Sequence, residues 1–194
     1  MNNFPVPLAA PIAFAATVAL FSLLVLIKRL RTGPASGGVK RDRRSLVGIL
    51  FQSIGIGVAC TGAVDMTRRL DDPIAIIQIL ATIALGLSAV LLFARSAKAL
   101  GLNWSLVART SDAHELIRSG PFARVRHPIY LAMLLFLLAG AVGLGHLWAL
   151  IPAVPIFLLG TRIRSRIEER LLREMFGAEY EDYARVTPGL LPGF

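Results

Sequence analysis

Arg126-His127-Pro128-Ile129-Tyr130 sets a basic, titratable cluster directly before a greasy run, residues 129–144, that should enter a membrane. A proline is well suited to the first helical position, because the N–H it lacks would be unpaired there anyway. Charged residues at such a boundary need partners, and helix N-termini attract anions. The stretch therefore reads as the floor of a polar site at the membrane surface.

Composition extends that reading to the whole chain. Of 194 residues, 55% are hydrophobic, and a mean hydropathy of +0.66 is too apolar for a soluble domain of this size. The apolar stretches are each about 20 residues long or a little less, the length that crosses a bilayer. The single cysteine, Cys60, lies inside one of them, so neither a disulfide framework nor a cysteine-based metal site is possible. A net charge of +9 is compatible with nucleic-acid binding, but nearly all the basic residues sit in loops between apolar segments, as topology determinants do. No positive charge precedes Lys28, whereas a signal peptide carries its charge before its apolar core. The first segment is thus expected to be a retained helix.

Five spans are expected, at residues 8–27, 45–64, 74–94, 128–145 and 147–160, followed by an amphipathic, charged tail. With the N-terminus outside, the loops 28–44 and 95–126 and the tail segment 162–185 fall on the cytoplasmic side. They hold seven, six and six Lys/Arg, or 19 of the 21, and only Arg68 and Arg69 lie opposite. That is a strong positive-inside asymmetry. The fold class is therefore all-α: an integral membrane bundle of five transmembrane helices with a cytoplasmic C-terminal amphipathic helix. It is read as one membrane domain over 1–194, with three N-terminal spans in 1–94 and a functional half in 95–194.

Residues 129–160 number 32, about 48 Å of helix at 1.5 Å per residue, too little for two full crossings of a core about 30 Å thick. A tight hairpin near Gly143, Gly145 and His146 is expected, with the fifth helix running on past Gly160 into the charged tail. Pro152 and Pro155 should bend it, as membrane helices tolerate. Arg162, Arg164 and Arg166 then come to the surface near Arg126 and His127.

Within that tail Arg164 and Glu168 stand four apart and share a helical face. They are either an exposed salt bridge worth a few tenths of a kcal/mol, roughly, or a pair over a pocket, one group for an anion and one for an ammonium. His127 alone is equally open, since an interfacial histidine is often a cap or a headgroup contact. His114, His127 and His146 lack metal-site spacing, so no metal is expected. Trp104 and Trp148 suit interface anchors. Gly55, Gly57 and Gly62 lie in a span, where close helix packing explains them better than a dinucleotide loop does.

Several motifs together resemble the isoprenylcysteine carboxyl methyltransferase family. They are Asn103-Trp104-Ser105, the run Asp112-Ala113-His114-Glu115-Leu116-Ile117-Arg118-Ser119-Gly120-Pro121-Phe122, and Arg126-His127-Pro128-Ile129-Tyr130. In the tail they are Glu168-Glu169, Phe176-Gly177-Ala178-Glu179-Tyr180, Tyr183 and Pro188-Gly189-Leu190-Leu191-Pro192. The resemblance covers the second half, and the first two spans carry no motif.

It implies a membrane-embedded, S-adenosylmethionine-dependent methyltransferase without a Rossmann domain, its cofactor in a cytosol-facing pocket. Carried over by motif, cofactor contacts fall on His114, Glu115, Leu116, Ile117, Phe122, His127, Pro128, Ile129, Tyr130 and Glu168, and Arg164 falls on the substrate side as the catalytic arginine. Phe122 departs from relatives with tyrosine, losing any hydroxyl contact. Thr187-Pro188-Gly189 departs from relatives with arginine, and no role is assigned to it. Methyl transfer from a sulfonium needs positioning and partial desolvation of the nucleophile rather than a metal. Glu168 suits the cofactor's ammonium. The start of the fourth helix, with His127 and Arg126, suits its carboxylate. Leu116, Ile117 and Phe122 suit its adenine.

The expected partners are the lipid bilayer and a lipophilic small-molecule or lipid-anchored acceptor, a prenylcysteine-type carboxylate, entering laterally. Phospholipid N-methyltransferases share the Arg-His-Pro and paired-glutamate signature and form the alternative. Sterol reductases resemble the C-terminal architecture more distantly and use NADPH. A non-catalytic scaffold is opposed by the intact Glu168, His127, Tyr130 and Arg164. A transporter is opposed by spans without a charge near their middle.

Overall fold

A computed structural model describes residues 3–31, 39–101, 109–111 and 115–190. Among the described residues six α-helices carry the fold: α1 (Ala9–Arg31), α2 (Ser45–Cys60), α3 (Pro73–Leu100), α4 (Pro128–Leu144), α5 (Leu150–Phe176) and α6 (Ala178–Val186). Two three-residue strands, β1 (Val39–Arg41) and β2 (Arg109–Ser111), pair antiparallel with Lys40 opposite Thr110. Apart from this short ribbon the architecture is all-helical, as expected. The two long basic loops lie at the same end of the bundle, where backbone groups outside helices pair with each other.

Local chemistry sets the helix ends. Asp72 caps α3, its side chain accepting from the Ile74 amide at 2.9 Å, with Pro73 in the first turn. Pro128 opens α4 in the same way. The expected hairpin forms at Gly145, whose φ of 76° ends α4 in the left-handed region where glycine carries no Cβ penalty. A Cβ there would also run into the Phe4 carbonyl oxygen, and the Phe4 backbone N–H donates to Gly145 O at 2.9 Å. A 3₁₀ turn at Leu147–Ala149 leads into α5, which continues past Gly160 to Phe176.

The helices alternate in direction. Lys28 at the end of α1 donates to Gly101 O beyond α3 at 2.6 Å, while His146 in the far hairpin lies 3.2 Å from Ala59 O of α2. His146 and His127 therefore sit at opposite ends. α4 packs along α3, and α5 along α2. Ala59, Leu137, Ala141, Ala153 and Phe157 form one core at the hairpin end, and Phe93, Ala97 and Ala132 another on the α1–α3 side.

The α2–α5 seam is close because small residues line it. A Cβ on Gly160 would meet Gly48 O at 2.6 Å, and one on Gly55 would meet Ala153 O at 2.8 Å. Gly55 thus packs as expected of a span. Gly57 faces open space, and Gly62 lies beyond the helix against the His146 ring. Leucines and isoleucines such as Leu23, Leu50, Ile77 and Leu80 face outward.

Three segments, Ala9–Arg31, Pro73–Leu100 and Leu147–Phe176, are long and apolar enough to cross a membrane. The other two apolar helices, α2 and α4, have 16 and 17 residues, about 24–26 Å of helix.

Candidate active site

The first turn of α4 and the polar half of α5 meet at the end of the bundle that carries the basic loops. The Tyr130 hydroxyl donates to Glu168 Oε1, and the Arg164 guanidinium lies 5.0 Å from the centre of the Tyr130 ring. Arg164 Nη2 stands 3.7 Å from Glu168 Oε1, so the pair expected four apart on one face does form. It is no exposed salt bridge, because the Arg164 side chain is only 8% exposed. His127 Nδ1 lies 3.7 Å from Glu168 Oε2, and its ring stacks on Tyr130 at 5.5 Å.

Glu169, the other glutamate of the pair, serves a different purpose. Successive helical residues point about 100° apart, so the two carboxylates meet different neighbours. Glu169 Oε1 accepts from Arg126 Nε at 3.0 Å and lies 3.1 Å from His127 Nε2; Oε2 takes Arg173 at 3.3 Å. Arg126 also donates through Nη1 to the carbonyls of Ala184, at 3.0 Å, and Thr187. Its backbone N–H goes to Pro188 O at 2.9 Å, and that of His127 to Gly189 O at 3.1 Å. The segment to which no role was given thus ties the start of α4 to the tail through its carbonyls. Arg126 is a clamp between α4, α5 and α6, rather than a free cation for a ligand.

Phe122 is buried in a 3₁₀ turn, Gly120–Ala123, and its carbonyl accepts from the Tyr183 hydroxyl at 2.7 Å. Burial pushes the Tyr183 phenol up to about 12, so it remains a donor at any ordinary pH. Arg118 pairs with Glu179 of α6 at 2.8 Å, a second tie between this segment and the tail. Leu116 and Ile117 are half-buried, and Glu115 is exposed. Pro128 is buried at the helix start, and Ile129 packs toward Phe93 and Ala132. His114 lies outside the described residues, as do Asn103-Trp104-Ser105.

Two residues of α2 join the cluster without any motif to announce them. Gln52 Oε1 accepts from Arg164 Nη1 at 3.1 Å, and its Nε2 donates to Thr161 Oγ1 at 2.9 Å. Gly48 leaves the room through which the Arg164 stem passes. A glutamine within an apolar helix was the one available signal, since a polar side chain there must find a partner. Among the described residues, no group of three His, Cys, Asp or Glu is placed to hold a metal ion.

An acid, an arginine and a tyrosine thus gather at one end of a set of apolar helices. Residues 76–179, just over half of the chain, match the phospholipid methyltransferase family, and the chain belongs to it. That family shares a membrane methyltransferase superfamily with the isoprenylcysteine carboxyl methyltransferases. The nickel-cobalt-cadmium resistance protein NccN of Alcaligenes xylosoxydans xylosoxydans is 35% identical over 82 residues, 40% of this chain and 36% of that protein. The chain spans little more than a third of that relative's length in this match.

Proposed function

We propose that the protein is an S-adenosylmethionine-dependent methyltransferase that works at the membrane surface on a lipid-like or lipid-modified acceptor, a carboxylate of the prenylcysteine type. The observation that carries this reading is the Tyr130–Glu168–Arg164 cluster. His127, Tyr130 and Arg164 are each less than a tenth exposed, while Glu168 keeps 27% of its side chain open. Glu168 is the acid of the cluster that a ligand can reach, and a carboxylate held by a phenol and a guanidinium fits the ammonium of the cofactor's methionine end.

In this reading Glu168 holds the ammonium, and the start of α4 with His127 favours the carboxylate through the helix dipole. The further cofactor contacts proposed by motif are His114, Glu115, Leu116, Ile117, Phe122, Pro128, Ile129 and Tyr130, with Phe122 suited to an adenine face. When bound, S-adenosylmethionine supplies an electrophilic methyl group on a sulfonium. Arg164 orients an anionic acceptor, and the buried ring of Tyr130 with the apolar helix faces excludes water from the nucleophile. Displacement at a methyl carbon asks for alignment more than for acid–base work.

The same reading sets five spans with the N-terminus outside and the C-terminus cytoplasmic, supported by the concentration of Lys/Arg at the site end. The short α2 and α4 then cross where the bilayer thins locally.

Titration of S-adenosylmethionine into purified protein, followed by calorimetry, is the test. Saturable binding in wild type and its loss in Glu168→Ala support the site. No binding in wild type, or equal binding in both, sinks it.

A second reading, phospholipid N-methylation, is supported by the family match and by Arg164 being already compensated by Glu168. Labelled methyl appearing in phosphatidylethanolamine, and not in a farnesylated cysteine analogue, decides for it.

A further inference from the structure

We infer that α2 is part of the reaction centre and that Gln52 is the positioning residue for Arg164. The inference rests on the proposed role of Arg164 toward the acceptor. Arginine donates and never accepts, so the Gln52 amide must turn its oxygen to Arg164, which leaves its nitrogen for Thr161. Both contacts have the length of good hydrogen bonds, 3.1 and 2.9 Å. Gln52 is 1% exposed and Thr161 fully buried, so water does not compete for either. Thr161 sits one turn before Arg164 on α5. The glutamine thus bridges the Thr161 hydroxyl and one edge of the guanidinium, both on α5.

Arg164 is held from two sides. The Tyr130 ring and Glu168 take the face toward α4, and Gln52 takes the other. Gly48, one turn before Gln52, supplies the clearance for the arginine stem, and any Cβ there would also meet Gly160 O at 2.7 Å. A long side chain with about 2 kcal/mol of rotamer entropy is thereby pinned before any acceptor arrives. Gln52 touches neither Glu168 nor His127 among the described contacts, so its work concerns the acceptor side and not the cofactor side.

The experiment uses full-length protein in detergent, with Gln52→Leu, which removes the acceptor oxygen at similar volume, and Gln52→Glu, which keeps one. The first readout is phenylglyoxal labelling of Arg164, followed by peptide mass spectrometry. Labelling should be slow in wild type, at least tenfold faster in Gln52→Leu, and slow again in Gln52→Glu. The second readout pairs S-adenosylmethionine calorimetry with methyl transfer to phosphatidylethanolamine vesicles and a farnesylated cysteine analogue. Gln52→Leu should lower kcat/KM for the acceptor about tenfold, with cofactor Kd within twofold of wild type. Equal labelling in wild type and Gln52→Leu overturns the positioning role. So does a loss of cofactor affinity as large as the loss of turnover, which marks a merely structural glutamine. Absence of methyl transfer in wild type overturns the methyltransferase reading instead, and the labelling then decides alone on how Arg164 is held.

Discussion

The Tyr130 hydroxyl donates to the Glu168 carboxylate, so the first turn of α4 and the polar half of α5 are joined by a bond between neutral donor and charged acceptor. It lies under the stacked His127 ring and beside Arg164. Removing the hydroxyl leaves the rings packed and the carboxylate short of a donor. Tyr130→Phe should therefore cost about 1.5–3 kcal/mol, the range for a hydrogen bond to a charged group. Denaturant unfolding in one detergent measures it, and an unchanged midpoint would show that the bond contributes nothing.

Arg126 presents a different case, because nearly all its donors are taken and both it and Glu169 are 13% exposed. Arg126→Ala takes one partner from a half-buried carboxylate, which keeps His127 and Arg173, and leaves the two carbonyls unpaired, at about 1–3 kcal/mol. Arg126→Lys should not rescue it, since a single ammonium cannot serve Glu169, Ala184 and Thr187 together. Thermal melts of the two variants beside Glu169→Gln give the comparison. A lysine variant as stable as wild type contradicts the clamp.

The α2–α5 seam predicts opposite results for two glycines in one neighbourhood. Gly160→Ala drives a methyl group to 2.6 Å from Gly48 O, and overpacking of this kind costs about 1–3 kcal/mol. Gly57→Ala meets nothing within 4 Å and gains helix propensity, up to about 1 kcal/mol. Stability measured for both in the same detergent settles the matter; equal effects would mean that the seam is not where it is placed.

Tyr183 gives a pH dependence. Its folded value, about 12, lies above the ordinary 10.0 because burial disfavours the phenolate. A raised folded value means the stabilisation is complete below about pH 10 and is lost as pH climbs toward 12. Unfolding midpoints should fall over that window, less steeply in Tyr183→Phe, which already lacks the bond to Phe122 O worth about 1 kcal/mol. Identical alkaline slopes in both proteins would remove Tyr183 from the account.

Much of this is legible in the sequence. Hydropathy located the five apolar helices, the 32-residue limit on residues 129–160 required the hairpin, and the four-residue spacing of Arg164 and Glu168 put them on one face. Ends were less accurate: α1 runs to Arg31 and α3 to Leu100, past the apolar residues, because helices continue while side chains can reach polar surroundings. The two-stranded ribbon joins residues 70 apart and has no local signature. Thr187-Pro188-Gly189 was opaque for another reason: it acts through carbonyl oxygens, which every residue carries.

The sequence by itself determined the class of the protein, since apolar length, charge asymmetry and the Arg-His-Pro and Glu-Glu motifs are local properties that survive without a fold. Tertiary structure alone decided how the charges divide. Glu168 was set against Tyr130 and Arg164 and Glu169 against Arg126 and His127, and Gln52 of a motif-free helix was brought to Arg164 across 112 residues of chain. Desolvation is the physical reason. A polar group buried among apolar helices must find whichever partner the packing presents, and that partner is set by helix contacts far apart in the sequence.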